Sequence, residues 1–514
     1  MRLGIDVGGT HTDAVLLNGS EIVGFHKALT SSDVKQGIID SLDAVLVAGQ
    51  VDTAEIDAVM IGTTQFTNAV IQRCDLSPTA LIRASLPMGS GVPPLCDWPE
   101  DALAAVGDHQ YMIQGGHLYN GKPIAELDHK SLNRAIADIS SKGIKAVAVA
   151  ASFSPAVAEH ELLMAKAVRH RIADATVTLS HEIGRLGLLE RENAAVLNAA
   201  LVDLARHVVN SMERALIERG INCPVYISQN DGTLMAAATI ARYPALTFSS
   251  GPTNSIRGAA LLSGLSDAIV VDIGGTTADI GVLADGFPRE SNSHIEVGGV
   301  RTNFRMPDIL PIGLGGGSLV ALNGRKIGPS SVGYCLSTEG LVFGGNTLTA
   351  TDIAVANGSC KLGDGVHVAH LQAEVIETAT QRMHEMIDEA VDRMRPSEKP
   401  VPVILVGGGA ILISRSLKTA SQLIQPDHAD VANALGAAIA QVGGEVEHFV
   451  SYSAITRDEA LTQVTQQAQQ KAIAAGADAE TLRVLDVEET VISYMDDAAA
   501  RLRIKVVGDL RQTA

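Results

Sequence analysis

The feature that most constrains this chain is an internal duplication. The segment DVGGTHTD at residues 6–13 returns as DIGGTTAD at residues 272–279, each time directly after an apolar run. Asp6 aligns with Asp272 and Asp13 aligns with Asp279. Glycines let a turn adopt positive φ and let backbone amides approach an anion closely. The repeat therefore predicts two hairpins that together bind phosphate.

Two facing hairpins with a metal ion between them can hold a triphosphate from both sides. A carboxylate at the end of a rigid strand suits magnesium, which prefers carboxylate and retained water ligands. The predicted catalytic and metal-binding carboxylates are Asp6 and Asp272, whereas Asp13 and Asp279 either bind directly or brace their hairpins. The predicted phosphate donors are Gly8, Gly9, Thr10, Gly274, Gly275 and Thr276.

A third glycine cluster completes a nucleotide site. The segment LVGGGA at residues 405–410 reads as a strand followed by Gly407, Gly408 and Gly409, whose backbone can lie flat against a base or ribose. The sequence has neither a GxGxxG fingerprint of a dinucleotide fold nor a GxxxxGK[ST] phosphate loop. The pattern indicates an ATP site of another kind.

Length and composition exclude several classes of function. A chain of 514 residues predicts two to four domains, and a formal charge of −19 argues against a nucleic-acid partner. The five cysteines never reach a CxxC spacing, which disfavours a zinc or iron–sulfur site. With neither a signal peptide nor an apolar run of spanning length, we expect a soluble cytoplasmic protein without a membrane partner.

Alternating strand and helix patterns predict an α/β fold with two lobes. The first lobe is expected over residues 1–185, with an irregular Pro- and Gly-rich insertion at about residues 75–125. The second lobe is expected over residues 186–447. Residues 448–514 change in texture and predict a small separate α+β module.

The motifs in this order resemble those of a known family. The two glycine hairpins and the third glycine loop resemble the superfamily of ATPases that contains actin, the heat-shock chaperone ATPases and the sugar kinases. More narrowly, the chain resembles the hydantoinase A / 5-oxoprolinase family over roughly residues 1–445. The similar segments include GTTQFTNAVIQR, SFSPAVAEHE, SHEIGRLGLLERENAAVLNA, QNDGTLM and GLGGGS.

The resemblance implies two actin-like (ribonuclease-H-like) lobes with mixed sheets flanked by helices. It also implies ATP and Mg²⁺ as cofactors, a small cyclic amide as substrate, and phosphorylation of the carbonyl oxygen before ring opening. A B-type or other catalytic partner subunit and an oligomeric state are expected. The resemblance extends the phosphate-facing residues to Gly315, Gly316 and Gly317. The chain departs from the family at His11, where an aromatic residue is usual, and in SSGPTNS.

Polar residues that follow predicted strands are candidates for substrate chemistry. His181 and Glu182 are placed for acid–base catalysis, and the alternative is structural hydrogen bonding. Substrate contacts are predicted for Thr63, Thr64, Asn68, Asn230 and Asp231, and the first three could instead cap the next helix. The run Glu190, Arg191, Glu192 is interpreted as a solvated helix face with ion pairs.

Three other functions remain open on the sequence. A small-molecule kinase of the sugar-kinase type shares the hairpins, and an ATP-binding subunit of a carboxylase-like complex shares the family motifs. An ATP-gated regulatory protein forms a third class. A chaperone of that class needs a β-rich substrate domain, and an iron–sulfur activator needs paired cysteines; neither is evident here.

Overall fold

The fold is known from a computed structural model, which describes residues 1–8, 11–29, 34–291, 295–453, 455–492 and 499–511. The strands are β1 Arg2–Val7, β2 His11–Asn18, β3 Glu21–Leu29, β4 Ala58–Thr63, β5 Thr79–Leu86, β6 His109–Gln114, β7 Ala146–Ala151, β8 Thr176–Leu179, β9 Val225–Ser228, β10 Thr233–Ala236, β11 Ala268–Ile273, β12 Ala278–Ala284, β13 Phe287–Pro288, β14 Ile295–Val297, β15 Val300–Thr302, β16 Ile309–Ile312, β17 Ser318–Ala321, β18 Lys326–Ser331, β19 Val401–Val406, β20 Ala420–Ile424, β21 Gln441–Ser451, β22 Arg483–Val491 and β23 Ala499–Gly508.

The α-helices pack on the faces of the sheets. They are α1 Val34–Gly49, α2 Gln65–Gln72, α3 Glu100–Val106, α4 His129–Ser141, α5 Glu159–Arg171, α6 Ser180–Ile183, α7 Leu188–Ile217, α8 Ala237–Ile240, α9 Ser250–Ser263, α10 Leu336–Glu339, α11 Ala350–Ala356, α12 Ala373–Met394, α13 Ala432–Ile439 and α14 Arg457–Ala474. Among the described residues, no helix is long and apolar enough to span a membrane.

Two mixed sheets repeat the same topology, which confirms the predicted fold class. In the described residues, the sheet of the first lobe runs β22-β23-β21-β10-β9-β4-β1-β2-β3, and that of the second lobe runs β13-β12-β11-β19-β20 with β16 beside β12. In both lobes a hairpin pairs antiparallel and its first strand pairs parallel with a later strand, β4 or β19. Asp6 lies opposite Asp13 and Asp272 lies opposite Asp279 in the same register.

Two helices cross between the lobes, and each packs on the sheet of the opposite lobe. Helix α9 follows the first-lobe sheet in sequence but packs on β11, β12 and β19, whereas α13 packs on β1, β2 and β4. A Cβ at Gly436 would lie 1.8 Å from the backbone oxygen of Asn254, and one at Gly258 would lie 2.0 Å from that of Ala432. Glycine is therefore required where the two helices cross.

A four-stranded parallel sheet, ordered β6-β5-β7-β8, lies beside the first lobe. Helices α4 and α5 pack on one of its faces and α7 packs on the other. The structure differs here from the predicted irregular insertion at residues 75–125, because β5 and β6 lie within it. Their hydrogen bonds go to each other and to β7, and this long-range pairing is not visible in the local Pro- and Gly-rich composition.

The C-terminal segment extends the first-lobe sheet. The predicted boundary at residue 448 falls inside β21, which pairs with β10 on one edge and with β23 on the other. Met60 and Leu234 of the first lobe share a core with Leu502 and Ile504. The segment therefore packs as a continuation of the first lobe, in contrast to the separate module that the change in composition predicted.

A strap of residues 295–306 leaves the second lobe and packs into the core of the first. Val297, Val300 and Phe304 of the strap are buried in the same cluster as helix α7. The ring of Phe304 meets that of Phe248 edge to face, with 5.4 Å between centroids. The strap thereby connects the two lobes at a second place, away from the crossing helices.

The interpretation of residues 190–192 as a solvated helix face was wrong. Arg191 and Glu192 are 1% and 0% exposed, because α7 lies between the parallel sheet and the first lobe. Glu192 accepts two hydrogen bonds from Arg83, a residue of β5 that is also fully buried, at 2.7 and 2.5 Å. A charge-rich triplet suggests a surface position, but the tertiary structure gives Arg191 and Glu192 buried partners, and only Glu190 pairs with a partly exposed residue, Arg301.

We expect Glu192→Ala to destabilise the protein by about 3–5 kcal/mol, because Arg83 would remain buried without a counter-ion. The double substitution Arg83→Met with Glu192→Leu should cost less than the single change. Urea unfolding midpoints of the three proteins measure the difference. Equal urea midpoints for the wild type and Glu192→Ala would contradict a stabilising role for the buried Arg83–Glu192 ion pair.

Candidate functional site

The two carboxylates predicted from the repeat meet in the cleft between the lobes. Asp6 is the second-last residue of β1, and Asp272 occupies the same position in β11. Burial raises the pKa of Asp6 to about 6; the hydrogen bond from Asn433 lowers it, and the negative charge of Asp272 raises it. Burial also raises the pKa of Asp272. Two buried acids of like charge are thus held together where a cation would lower their energy.

Side chains from the crossing helices connect the two carboxylates. Asn433 of α13 donates through Nδ2 to Asp6 Oδ2 at 3.4 Å. The Ser255 hydroxyl of α9 lies 2.5 Å from Asp272 Oδ2 and 2.7 Å from Asn433 Oδ1. Ser255 and Asn433 each precede a Gly-Ala-Ala triplet by three residues, at 258–260 and 436–438. This short second repeat was the signal that could have identified them from sequence.

Unsatisfied polar atoms surround Asp6. Among the described residues, Asp6 Oδ1 and both amide atoms of Asn254 are buried without a hydrogen-bond partner. A Cβ at Gly62, which lies opposite Asp6 in β4, would come within 2.2 Å of that same Oδ1. Buried polar atoms normally have partners, so the arrangement fits a hard cation or its bound water.

The hairpin tips have matching turns. Gly8 N–H donates to the His11 carbonyl at 3.0 Å, and Gly274 N–H donates to the Thr277 carbonyl at 2.9 Å. Gly9 and Thr10, two of the predicted phosphate donors, lie outside the described residues. Gly275 and Thr276 form the second tip.

The glycines at 315–317 support the second hairpin. Gly316 and Gly317 donate their N–H groups to the carbonyls of Gly274 and Gly275 at 3.0 and 2.7 Å, and Gly315 N–H donates to the Ser318 hydroxyl at 2.8 Å. These three amides are therefore already engaged within the chain. Their contact with phosphate stays a prediction, and these internal hydrogen bonds argue against it.

The third glycine cluster lies against the second carboxylate. Gly407 has φ +83°, and a Cβ there would come within 2.3 Å of Asp272 Oδ1. A Cβ at Gly409 would come within 2.8 Å of the Gly274 carbonyl oxygen, and one at Gly408 within 3.9 Å of Lys27 Cε of the first lobe. Residues 407–409 thus lie beside Asp272, and a side chain is excluded at Gly407 and Gly409 but not at Gly408.

The second carboxylates of the repeat lie one strand away from the cleft centre. Lys27 Nζ pairs with both oxygens of Asp13 at 2.8 and 2.7 Å and with the Asp430 carbonyl at 2.8 Å. Burial raises the pKa of Asp13 to about 7 despite the charge of Lys27, and burial raises that of Asp279 to about 7. For Asp13 the contacts favour the bracing role over direct ligation. Lys27 was missed because its partner is not adjacent in sequence.

The predicted substrate residues fall in two places. Thr64 and Asn68 line a small pocket of about 210 Å³ beside Gly8. There Thr63 Oγ1 accepts from Gln65 N–H at 3.2 Å, the Thr64 hydroxyl donates to the Val7 carbonyl, and Asn68 donates to Thr64. These bonds tie the start of α2 to β1, so the capping alternative describes Thr63 better than substrate contact does.

The other candidates line a larger cavity of about 700 Å³. Its lining includes the four predicted residues His181, Glu182, Asn230 and Asp231. It also includes Tyr243, Phe304, Arg305 and Phe449. Asp231 pairs with Lys505 at 2.8 Å. Burial would raise the pKa of Asp231, but Lys505 and the hydrogen bonds from Thr233 hold it below its usual value. Asp231 is thus engaged in a buried ion pair.

The cavity and the carboxylate cleft are adjacent. Thr253 of α9 donates through its hydroxyl to the Asn230 carbonyl at 3.1 Å. The next two residues of the same helix turn, Asn254 and Ser255, lie beside Asp6 and Asp272. One turn of α9 therefore borders both sites. Within the described ranges, no group of three or more His, Cys, Asp or Glu side chains is arranged to hold a metal ion.

Comparison with known proteins gives relatives that are named as enzyme subunits. The chain is 25% identical over 402 residues to the caprolactamase subunit alpha of Pseudomonas jessenii, covering 71% of this chain and 55% of that one. It is 24% identical over 392 residues to the acetophenone carboxylase gamma subunit of Aromatoleum aromaticum, covering 69% and 52%. The chain thus spans little more than half the length of these curated relatives.

The fold has a close match among solved structures. The ATP-dependent caprolactamase from Pseudomonas jessenii aligns with a TM-score of 0.77 at 18% identity, covering 100% of this chain and 88% of that one. Residues 2–172 match the N-terminal region of hydantoinase/oxoprolinase, and residues 191–364 match hydantoinase/oxoprolinase. With both regions matched in order, the chain belongs to the hydantoinase/oxoprolinase family.

Proposed function

We propose that the chain is the ATP-dependent subunit of an enzyme that opens a small cyclic amide by hydrolysis. The observation that carries this proposal is the pair of facing carboxylates, Asp6 and Asp272, with the unsatisfied Asp6 Oδ1 between two glycine hairpins. The glycine loops at 274–276 and 407–409 border the same cleft. Family membership and an amide-hydrolysing relative support the reaction class.

The residues fit magnesium bound with ATP. Asp6 and Asp272 would hold the ion directly or through water, and water and phosphate oxygens would complete its ligands. Magnesium supplies charge neutralisation at the β- and γ-phosphates. We propose Gly275 and Thr276 as phosphate donors at the second tip, with Gly9 and Thr10 at the first, since the amides of Gly8 and Gly274 already donate within their own turns. The loop at 407–409 leaves space beside Asp272 for the nucleoside side of ATP.

The amide substrate is proposed to occupy the cavity lined by His181 and Asn230. At about 700 Å³ the cavity has room for a small cyclic amide. Its border with the cleft along α9 brings a bound carbonyl toward the phosphates. Amide carbonyls are poor electrophiles, and phosphorylation of the oxygen makes the carbon open to attack by water. In this phosphorylation step the chain contributes positioning and electrostatics.

A second candidate is the ATP-binding subunit of a carboxylase-like complex. The similarity to the acetophenone carboxylase gamma subunit favours it, since the same phosphorylation could activate a ketone. Both relatives are named as subunits, so we propose that a partner subunit completes the reaction and that the assembly is oligomeric.

Release of ADP by the purified chain with magnesium and ATP, alone and with a co-expressed partner, distinguishes these functions. The panel comprises lactams, hydantoins, 5-oxoproline, small ketones with bicarbonate, and sugars. Stimulation by a cyclic amide with ring-opened product is expected. Stimulation by a ketone with bicarbonate would favour the carboxylase-like subunit, and a phosphosugar product would contradict both.

Asp6→Asn and Asp272→Asn should each lower substrate-dependent ADP release by about 10²-fold or more, because each removes a charge that holds the metal. The matched control is Asp174→Asn, an exposed carboxylate at φ +59°, which asparagine tolerates. Full activity in either cleft variant would contradict the proposed metal site.

Gly62→Ala should weaken magnesium-dependent ATP binding about tenfold or more, since its methyl group would meet Asp6 Oδ1 at 2.2 Å. Gly91→Ala is the control, because a Cβ there meets nothing within 4 Å among the described residues. Calorimetric titration of each variant with ATP and magnesium measures the effect. Unchanged affinity in Gly62→Ala would show that the position of Asp6 does not matter for binding.

A further inference from the structure

Two sequence segments that resemble the family converge on one wall of the large cavity. SFSPAVAEHE contributes Glu161 in the first turn of α5, and SHEIGRLGLLERENAAVLNA contributes Ser180, His181 and Arg191. Strands β7 and β8 end here, at the carboxyl edge of the parallel sheet. Parallel α/β sheets commonly place their functional residues at this edge.

Glu161 is a fully buried carboxylate behind His181. Its Oε2 lies 2.6 Å from His181 Nδ1 and accepts from the His181 backbone N–H at 3.1 Å. Its Oε1 accepts from Ala151 N–H at 2.9 Å and from the Ser180 hydroxyl at 2.5 Å. Burial would raise the pKa of Glu161, but the hydrogen bond from His181 and the charge of Arg191 hold it below its usual value. Glu161 is therefore an ionised acceptor.

Arg191 fixes the framework around this pair. The Arg191 guanidinium is 1% exposed and donates to the Ser180 hydroxyl at 2.9 Å, to the Ala151 carbonyl at 2.6 Å and to the Arg185 carbonyl at 2.9 Å. These bonds join β7, α6 and the turn before α7. The orientation of the imidazole is therefore set by buried groups on three elements.

This geometry selects one tautomer of His181. Because an ionised carboxylate can only accept, Nδ1 carries the proton and donates it to Glu161. In the neutral ring the other nitrogen, Nε2, then keeps its lone pair, and the ring lines the cavity. Glu182 differs, since its Oε2 already accepts from Arg242 at 2.8 Å and from the Tyr243 hydroxyl at 2.6 Å. Of the two neighbours, His181 is the one arranged for proton transfer.

We propose that His181 is the acid–base residue that opens the phosphorylated amide, and that Glu161 is the positioning residue that fixes its tautomer. This inference rests on the proposed function and names a role for the cavity that the nucleotide cleft does not supply. It also explains why Glu161 and Arg191 are buried charges in a part of the chain remote from ATP.

The proton moves in two steps. In the phosphorylated amide the ring nitrogen keeps its proton and is doubly bonded to the carbon that bears the phosphorylated oxygen. Water adds to this carbon, Nε2 takes one of the two water protons, and the carbon–nitrogen π pair moves to nitrogen, which leaves a tetrahedral carbon with a hydroxyl group. As the carbon–nitrogen bond then breaks with its electron pair going to nitrogen, the imidazolium gives its proton from Nε2 to the ring nitrogen, and the hydroxyl releases its remaining proton to solvent as its oxygen forms the new carbonyl. The neutral amine leaves, and the acyl phosphate that remains is hydrolysed by a second water to carboxylate and phosphate. The imidazole ends unchanged.

The tautomer is testable without substrate. In the full chain labelled with ¹⁵N at its 15 histidines, long-range ¹H–¹⁵N spectra should show the Nδ1–H form for His181, assigned by its loss in His181→Gln. In Glu161→Gln the amide N–H₂ donates to Nδ1 and should convert the ring to the Nε2–H form. An Nε2–H form in the wild type, or the same form in both proteins, would overturn the positioning role of Glu161.

The chemical role is tested by separating phosphorylation from ring opening. With the cyclic amide that stimulates ADP release, His181→Gln and Glu161→Gln should lower the kcat for ring-opened product by about 10²–10⁴-fold. KM should change little, and amide-dependent ADP release should continue, so the two products become uncoupled. The matched controls are His170→Gln and Glu159→Gln, exposed residues of the same helix that should behave as wild type.

The outcomes distinguish the two proposals. Coupled ring opening at the wild-type rate in both cavity variants would overturn the role of the dyad and leave the proposed function intact. Absence of amide-dependent ADP release in the wild type, with its partner present, would overturn the proposed function and the ring-opening role together. The tautomer spectra would still decide the positioning of His181.

Discussion

The structure depends on holding two like charges together in a buried cleft. Asp6 and Asp272 come from strands 266 positions apart in sequence, and burial raises the pKa of both. Ionised together in this place, they are unfavourable until a cation joins them. A cation bound between them would therefore relieve a repulsion that the fold maintains. Such a cleft is expected to be less stable empty than filled, which suits a site that closes on its ligand.

The crossing of α9 and α13 creates that cleft. Each helix is supplied by one lobe and packs on the sheet of the other, so the lobes are interlocked through two short helices. Gly258 and Gly436 allow backbone-to-backbone contact at the crossing, and this closeness brings Ser255 and Asn433 within hydrogen-bond distance of each other. The same turn of α9 carries Thr253 against the cavity loop. The carboxylate cleft and the cavity thus share one turn of α9.

Buried charged side chains also support the cavity wall that carries His181. Four charged side chains lie where the parallel sheet packs on α7. They are Arg83 with Glu192, and Arg191 with Glu161. Buried charges are costly unless every partner is present, so these pairs fix geometry more than they add stability. In the wall they fix His181, whose ring nitrogen then has a single orientation toward the cavity.

The sequence alone determined those elements that depend on a few neighbouring residues or on the internal duplication. The duplication of an apolar strand, two glycines and a carboxylate specified both hairpins and the two facing acids, because a short apolar strand and a glycine turn are each determined by a few consecutive residues. It placed His181 and Asn230 after strands, where polar side chains collect. Only the tertiary structure decided that Thr64 belongs to a different pocket from His181 and that Glu192 is buried. It also decided that β21, β22 and β23 continue the first sheet and that Glu161 lies behind His181. Each of these depends on pairing between segments far apart in sequence, and composition carries no information about which distant strand or charge will be the partner.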